Sequence, residues 1–498
     1  MIRKLLYLVV MLIPYLNYSQ WNQIGFDIDG ENTNDVSGRS IALSDGGNII
    51  AVGANGNNNY AGHIRVFNFD NGSWNQIGLD IDGIASAQQF GYSLDLNNDG
   101  TRVASGAFLY GEANVPSVGI VKVYENISGN WVQLGNSIIG EAANDQSGKS
   151  VSINGNGNIV AIGAPYNNNN FSGHVRVYEI INGIWNQVGN DIDGENSGDL
   201  SGTVVNLNNE GNILAISAPN ADGLNGFDTG HVKIYENISG NWQQIGSTIE
   251  GEAQLDNSGN SISLNYSGNI IAVGASNNDN QNGQNSGHVR VYENILGNWT
   301  QIGQDIDGEF ENDYSGNSVS LNNAGNILAI GSSTNDGNGQ NSGHVRVYKY
   351  ESGTWAQVDN DIDGENSGDG FGLSVSLNGS GTILASGAWL NDGENGENSG
   401  HVRVFNNNTL KVDEFLSKNR IKFYPNPSNR LTEINFSKKH DLIELNIFDT
   451  LGKLILNEEY INTNKIIINT AKLKSGLYVV DLLISKNIKE QVKLIVCN

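Results

Sequence analysis

The chain has 498 residues, with 27 Lys and Arg against 53 Asp and Glu, a formal charge of −26. That balance excludes a basic nucleic-acid surface and electrostatic docking on anionic lipid. Glycine reaches 63 residues, proline only 6 and cysteine 1, which excludes collagen, a Pro-rich linker, an internal disulfide framework and a cysteine zinc site.

The first element, residues 1–19, reads as a signal peptide. Arg3 and Lys4 precede a short apolar run from Leu5 to Leu16, and cleavage is predicted near Ser19 and Gln20. No later apolar run approaches the roughly 18 residues that a spanning helix needs. The expected product is exported, monomeric and without a transmembrane segment.

Residues 20–408 repeat. Trp falls at 21, 74, 131, 185, 242, 299 and 355, each opening a segment like Trp185-Asn-Gln-Val-Gly. Each repeat then carries Gly-x-Ser/Thr-apolar-x-Leu (Gly316 to Leu321), an apolar run (Asn326 to Ile330) and Gly-His-Val-Arg-Val-Tyr (Gly343 to Tyr348). These segments are short, rich in Val, Ile, Trp and Tyr, and separated by Gly and Asn, so four strands per repeat are predicted. Ser318 to Leu321 alternates and buries one face; Ile327 to Ile330 does not and buries both.

Four-stranded units about 55 residues apart suggest propeller blades, and the motifs count to seven. The last repeat ends at Phe405 with no Trp segment after it, while Trp21 to Gly25 has no partners before it. The N-terminal strand is therefore expected to complete the last blade and remove an open edge. The fold class predicted is all-β: a seven-bladed β-propeller plus a small C-terminal β-sandwich. Connections such as Asp191 to Glu195 and Asn391 to Glu397 fall on one face and make it acidic. Residues 21–405 hold 11 Lys and Arg against 43 Asp and Glu, whereas residues 406–498 hold 14 against 10.

The pattern Phe371-Gly-x-Ser-Val with Leu384-Ala-Ser-Gly-Ala, and Ile162-Gly-Ala-Pro in an earlier copy, resembles FG-GAP repeats. That resemblance implies the seven-bladed propeller of integrin alpha chains and bacterial surface proteins. FG-GAP blades often hold calcium between their first two strands. Here that connection is a hairpin such as Leu264-Asn-Tyr-Ser-Gly-Asn, without a carboxylate, and Asp99 and Glu210 are isolated acids in two other copies. Six or more oxygen ligands are hard to assemble there.

After a linker at 409–420, residues 421–498 read as about seven short strands. Tyr424-Pro425-Asn426-Pro427, Ile447 to Lys453 with Gly452, Leu473 to Tyr478 with Gly476, and Lys493-Leu-Ile-Val follow in order. Together they resemble the type A C-terminal sorting domain of the Bacteroidetes type IX secretion system. The resemblance implies recognition of Tyr424, Pro425, Asn426, Pro427, Gly452, Lys453, Gly476, Tyr478 and Lys493 by that machinery, and delivery outside the cell or onto its surface.

Candidate chemistry divides into recurrent and unique residues. His63, His174, His231, His288, His344 and His401 share one position at the start of the third strand. Equivalent positions on neighbouring blades lie too far apart for one ion, so a scaffold hydrogen bond is the reading preferred. Asp35, Asp145, Asp199, Asp256, Asp313 and Asp369 recur three residues before the first-strand Gly. They are candidates for turn capping and, with the Asp-x-Asp-Gly loops, for calcium, the only cofactor the sequence suggests. Unique residues point to a binding sector in blades seven, one and two. Blade two lacks the His, and its loop carries Phe108 and Tyr110; Trp389 occupies the position of Phe108 in blade seven, and Tyr60 lies between them. No Gly-x-Ser-x-Gly elbow with His and Asp partners stands out, so no enzyme is expected. The function expected is binding of an extracellular glycan or protein on the acidic loop face. A polysaccharide hydrolase or lyase, which needs a unique pair of acids, and a passive surface-structural protein, which needs only uniform repeats, are the alternatives.

Overall fold

The computed structural model describes residues 21–112, 115–167, 170–407, 422–424, 428, 430–449, 453–484 and 488–496. The predicted signal peptide and the linker at 409–420 lie outside them. The chain divides into two compact units, residues 1–410 and 411–498.

The first unit contains seven antiparallel sheets of one pattern. In the first of them Ser40–Leu43 pairs with Ile49–Ala54, which pairs with His63–Asp70. The second strand is buried along nearly its whole length, as its unbroken apolar run predicts. The third strand is buried over its first five residues and then rises to the surface. Each sheet holds five strands rather than the four expected. Ser73–Gln76 pairs with the far half of the third strand, and Ile81–Asp82 pairs with its near half. The Asp-Ile-Asp-Gly segments read as loops therefore contain a short strand whose Ile is buried, as at Ile81, Ile192 and Ile306. Two residues are too few for alternation to show.

The first strands of successive sheets pack side by side, and Phe371–Leu377 of the seventh returns to Ser40–Leu43 of the first. This cycle explains Gly-x-Ser. The hydroxyl of Ser40 donates to the Gly91 carbonyl of the next sheet at 2.7 Å, and Ser318 donates to Gly372 at 2.7 Å. Ser374 closes the cycle by donating to Gly38 at 2.7 Å. The contact is backbone-close: a Cβ on Gly53 would stand 2.2 Å from the Gly91 oxygen. Trp74, Trp131, Trp185, Trp242, Trp299 and Trp355 each donate an indole N–H to a carbonyl of the preceding repeat at 2.8–3.1 Å. In the seventh sheet the outer strands come from the N-terminus, with Asn22 and Gln23 opposite Asn406 and Phe405, and Ile28 and Asp29 opposite Val402 and His401.

The second unit is one five-stranded antiparallel sheet among the described residues, not about seven short strands. Leu431–Asp449 and Leu454–Asn469 are long, and their pairing shifts register between Asn435 and His440. The charged run Lys438 to Asp441 breaks the apolar alternation without ending the strand. Ile434, Ile443, Leu445, Ile447, Ile466, Val480, Leu482 and Leu494 form the core. Among the described residues no helix is long and apolar enough to cross a membrane.

Candidate functional site

The loops entering the third strands and those leaving the outer strands meet at one end of the cycle. Two groups of side chains converge there.

The first group is a run of alternating rings and cations. Lys149 Nζ stands 3.9 Å from the centre of the Phe108 ring and 4.3 Å from that of Tyr92. The Tyr92 and Phe108 rings lie 4.6 Å apart. The Arg39 guanidinium covers Tyr92 at 4.7 Å, donates to its hydroxyl at 3.0 Å, and lies 5.6 Å from the Trp389 ring. Arg39, Tyr92 and Lys149 precede the first strands of sheets one, two and three, where later sheets carry Thr203, Asn260, Asn317 and Leu373. Burial opposes ionisation of the Tyr92 phenol, but the two cations outweigh it and hold the group below its ordinary value. Trp389 and Phe108, two of the expected binding residues, are thus linked. Phe108 is only 6% exposed and supports the run from beneath. Tyr110 packs instead against the buried cluster that includes Phe90 and Ile120, with its hydroxyl 3.4 Å from Glu112. Tyr60 is 51% exposed and makes no ring contact with the others. Arg39, Tyr92 and Lys149 were missed in the sequence because the middle residue of Gly-x-Ser looks freely variable. The signal was that three consecutive copies carry large cationic or aromatic side chains there.

The second group recurs. The near-neighbour carboxylates of His63 Nδ1 are Glu31 at 3.9 Å and Asp80 at 3.8 Å. The same arrangement holds at His174 with Glu141 and Asp191, at His288 with Glu252 and Asp305, at His344 with Glu309 and Asp361, and at His401 with Glu365 and Asp27. Among the described residues, the scaffold hydrogen bond expected of these histidines is not found at His63, His174, His288, His344 and His401. Their Nε2 atoms are buried without a partner, and the carboxylates lie beyond hydrogen-bond length from Nδ1. Burial, reinforced by the nearby Lys or Arg, pushes His231, His288 and His344 down to about 4. Burial likewise pushes His401 down to about 4.

The recurrent aspartates sit elsewhere. Asp35 accepts from the backbone N–H of Asn32 at 2.8 Å, and Asp145, Asp199, Asp256, Asp313 and Asp369 accept equivalent bonds at 2.7–3.0 Å. Asn57, Asn278, Asn335 and Asn391 donate to four of them. The six are buried, one per turn, and none belongs to the five carboxylate–histidine groups.

In the second unit Tyr424 ends the strand Lys422–Tyr424, and Gly476 opens the strand Gly476–Ile484. Tyr478 is buried and its hydroxyl donates to the Lys474 carbonyl at 2.9 Å. Lys493 pairs in register with Val479, and Lys453 is exposed. Pro425, Asn426, Pro427 and Gly452 lie outside the described residues. Residues 422–497 match the family of the secretion system C-terminal sorting domain. The tail is a sorting domain. Such domains mark proteins exported by the type IX system to the cell surface or beyond, and they engage its machinery.

No curated protein matches the chain in sequence. Solved structures similar to it include a Bacteroides uniformis chain named for 6-phosphogluconolactonase, at 12% identity and TM-score 0.46, covering 66% of this chain and 85% of that one. Hydrazine synthase of Kuenenia stuttgartiensis matches at 13% identity and TM-score 0.48, covering 74% and 95%. Periplasmic gluconolactonase of Pseudomonas aeruginosa matches at 13% and 0.45, covering 66% and 86%. These likenesses assign no reaction to this chain. The expectation of a non-enzyme is corrected: chains named as enzymes stand among the matches, and one fold hosts many unrelated activities, so a missing nucleophile motif does not exclude catalysis. The FG-GAP likeness rests on the repeat motifs alone.

Proposed function

We propose that residues 21–407 form a seven-bladed propeller of the FG-GAP kind, exported by the sorting domain, that binds an acidic extracellular glycan at the loop end of its ring. The seven sheets, their cyclic packing and the N-terminal closing strands support the propeller reading. The observation that carries the binding reading is the run Trp389–Arg39–Tyr92–Phe108–Lys149. Arg39 and Lys149 place their charge over aromatic rings. Elsewhere on this end, Arg65, Arg176, Lys233, Arg290, Arg346 and Arg403 each face a glutamate. The half-buried Trp389 ring offers its open face to a sugar ring, and Arg39 and Lys149, which have no carboxylate partner among the described residues, receive a uronate or sulfate. Asymmetry supports this too, since a site built once departs from the repeat.

The test is an array of acidic and neutral polysaccharides probed with the full chain, with and without chelator, and with the retained glycan recovered for mass. Arg39→Gln, Lys149→Gln and Trp389→Ala are expected to cut retention of acidic glycans at least tenfold while leaving the circular dichroism unchanged. Retention untouched by all three variants refutes the site. Shortened glycan in the recovered fraction makes the same site catalytic.

A further inference from the structure

We propose that the five Glu–His–Asp groups at the sheet junctions are divalent transition-metal sites, one in each of sheets one, three, five, six and seven. Each offers one imidazole nitrogen and two carboxylate oxygens from three separate segments, all within 4.8 Å of one another. An ion of zinc type holds such ligands at about 2 Å, which places them about 3.3 Å apart in a tetrahedral shell. Eight of the ten carboxylates lie 3.5–4.0 Å from His Nδ1 and all donor atoms lie within 4.8 Å of one another, so closing the shell takes a contraction of about 0.2 to 1.5 Å, within reach of these partly exposed carboxylate side chains.

Each donor is already aimed. Gln76 donates to Asp80 Oδ1 at 2.7 Å, and Gln187, Gln301, Gln357 and Gln23 do the same for Asp191, Asp305, Asp361 and Asp27 at 2.6 Å. That fixes one oxygen and presents Oδ2 to the histidine. A guanidinium stands by one oxygen of each Glu, as at Arg290 and Glu252, 3.0 Å apart, and leaves the other free. Outer partners of this kind orient metal ligands. The histidines are 1–2% exposed, and their Nε2 atoms are buried without a partner among the described residues. Nδ1 of each ring faces the carboxylates without a bond to them, so an ion between them gives that nitrogen a partner.

The repeats themselves act as a control. Sheet two replaces all three ligands at once, with Ile84, Ile120 and Ser137, and its Arg position carries Lys122. Sheet four keeps Glu195 and His231 but has Thr248 for the Asp, and there Lys233 Nζ sits 2.5 Å from Glu195, a cation of its own on the carboxylate. Three residues lost together are a unit. Imidazole with carboxylates suits zinc-like ions and not calcium, which takes oxygen ligands. The Glu side chains are 34–48% exposed and the Asp side chains about 30%, so the fourth position opens to solvent.

The experiment is zinc binding to the metal-free full chain, by equilibrium dialysis with elemental analysis, at physiological ionic strength and in excess calcium. Asp361→Thr, which copies the residue standing in sheet four, is expected to lower bound zinc by one ion per chain. Replacing Asp27, Asp80, Asp191, Asp305 and Asp361 together is expected to lower it by five. His231→Asn is expected to change nothing. Bound cobalt should show visible d–d bands that fall in the same proportion. Tryptophan fluorescence confirms that each variant is folded, and Glu309→Gln serves where Asp361→Thr is not. Zinc uptake unchanged by the fivefold variant, absent altogether, or displaced by calcium overturns the proposal.

Discussion

Replacing Asp95 by Asn should stabilise the first unit at neutral pH, and the gain should fade in acid. Asp95 lies in the first strand of sheet two, where other sheets carry Ser152, Ser263, Ser320 or Asn206. Its Oδ2 accepts from Ile153 N–H at 2.8 Å and Ser152 Oγ at 3.0 Å, and its Oδ1 from Leu96 N–H at 2.8 Å. Desolvation still outweighs these bonds and raises the carboxyl to about 6. A carboxyl raised in the folded state is disfavoured there as the anion. The cost is full above pH 6 and shrinks as pH falls towards the unfolded value near 4. A shift of about 2 units corresponds to about 3 kcal/mol at pH 7.5 and about 1 kcal/mol at pH 4.5. The side chain is partly open to solvent, so 3 kcal/mol is about the upper end. The amide keeps the key contact, because Asn206 Oδ1 accepts Leu264 N–H at 2.7 Å in sheet four. All eight Trp lie in residues 21–389, so urea unfolding followed by Trp fluorescence reports this unit alone. The advantage of Asp95→Asn should fall by about 2 kcal/mol between pH 7.5 and pH 4.5. An equal difference at both pH values, or a less stable variant at pH 7.5, refutes the reasoning.

Two further predictions concern the ends of the chain. Deleting residues 21–29 strips Val402, Phe405 and Asn406 of their pairing partners and leaves an open strand edge that associates with other chains; light scattering should then show oligomers and a lowered melting temperature, and a monomer melting like the parent would remove the closing role. Deleting residues 422–498 should leave a folded first unit inside the cell envelope, and fractionation that finds the truncated chain outside the cell at parental levels would contradict export through the sorting domain.

The repeat made most of the fold legible. Trp at a steady spacing, one unbroken apolar run per copy and Gly-x-Ser mark the strands because each position meets the same neighbour seven times. The short Ile-Asp strands escaped, since two residues carry no period and only the buried isoleucine distinguishes them from a loop. The long tail strands escaped for the opposite reason: Lys438 to Asp441 reads as a break, yet pairing continues past it. The site was legible where a residue departs from its copies, as Phe108 and Trp389 do. It was hidden where the partner comes from another segment. The six histidines stood out in the sequence, but Glu31 belongs to the loop before His63 and Asp80 to the segment after it. Their partnership shows in one dimension only through sheet two, where Ile84, Ile120 and Ser137 stand in place of all three. Sheet four shows what a single loss takes: with Thr248 for the Asp, Lys233 reaches Glu195 at 2.5 Å and supplies the positive charge beside the remaining carboxylate.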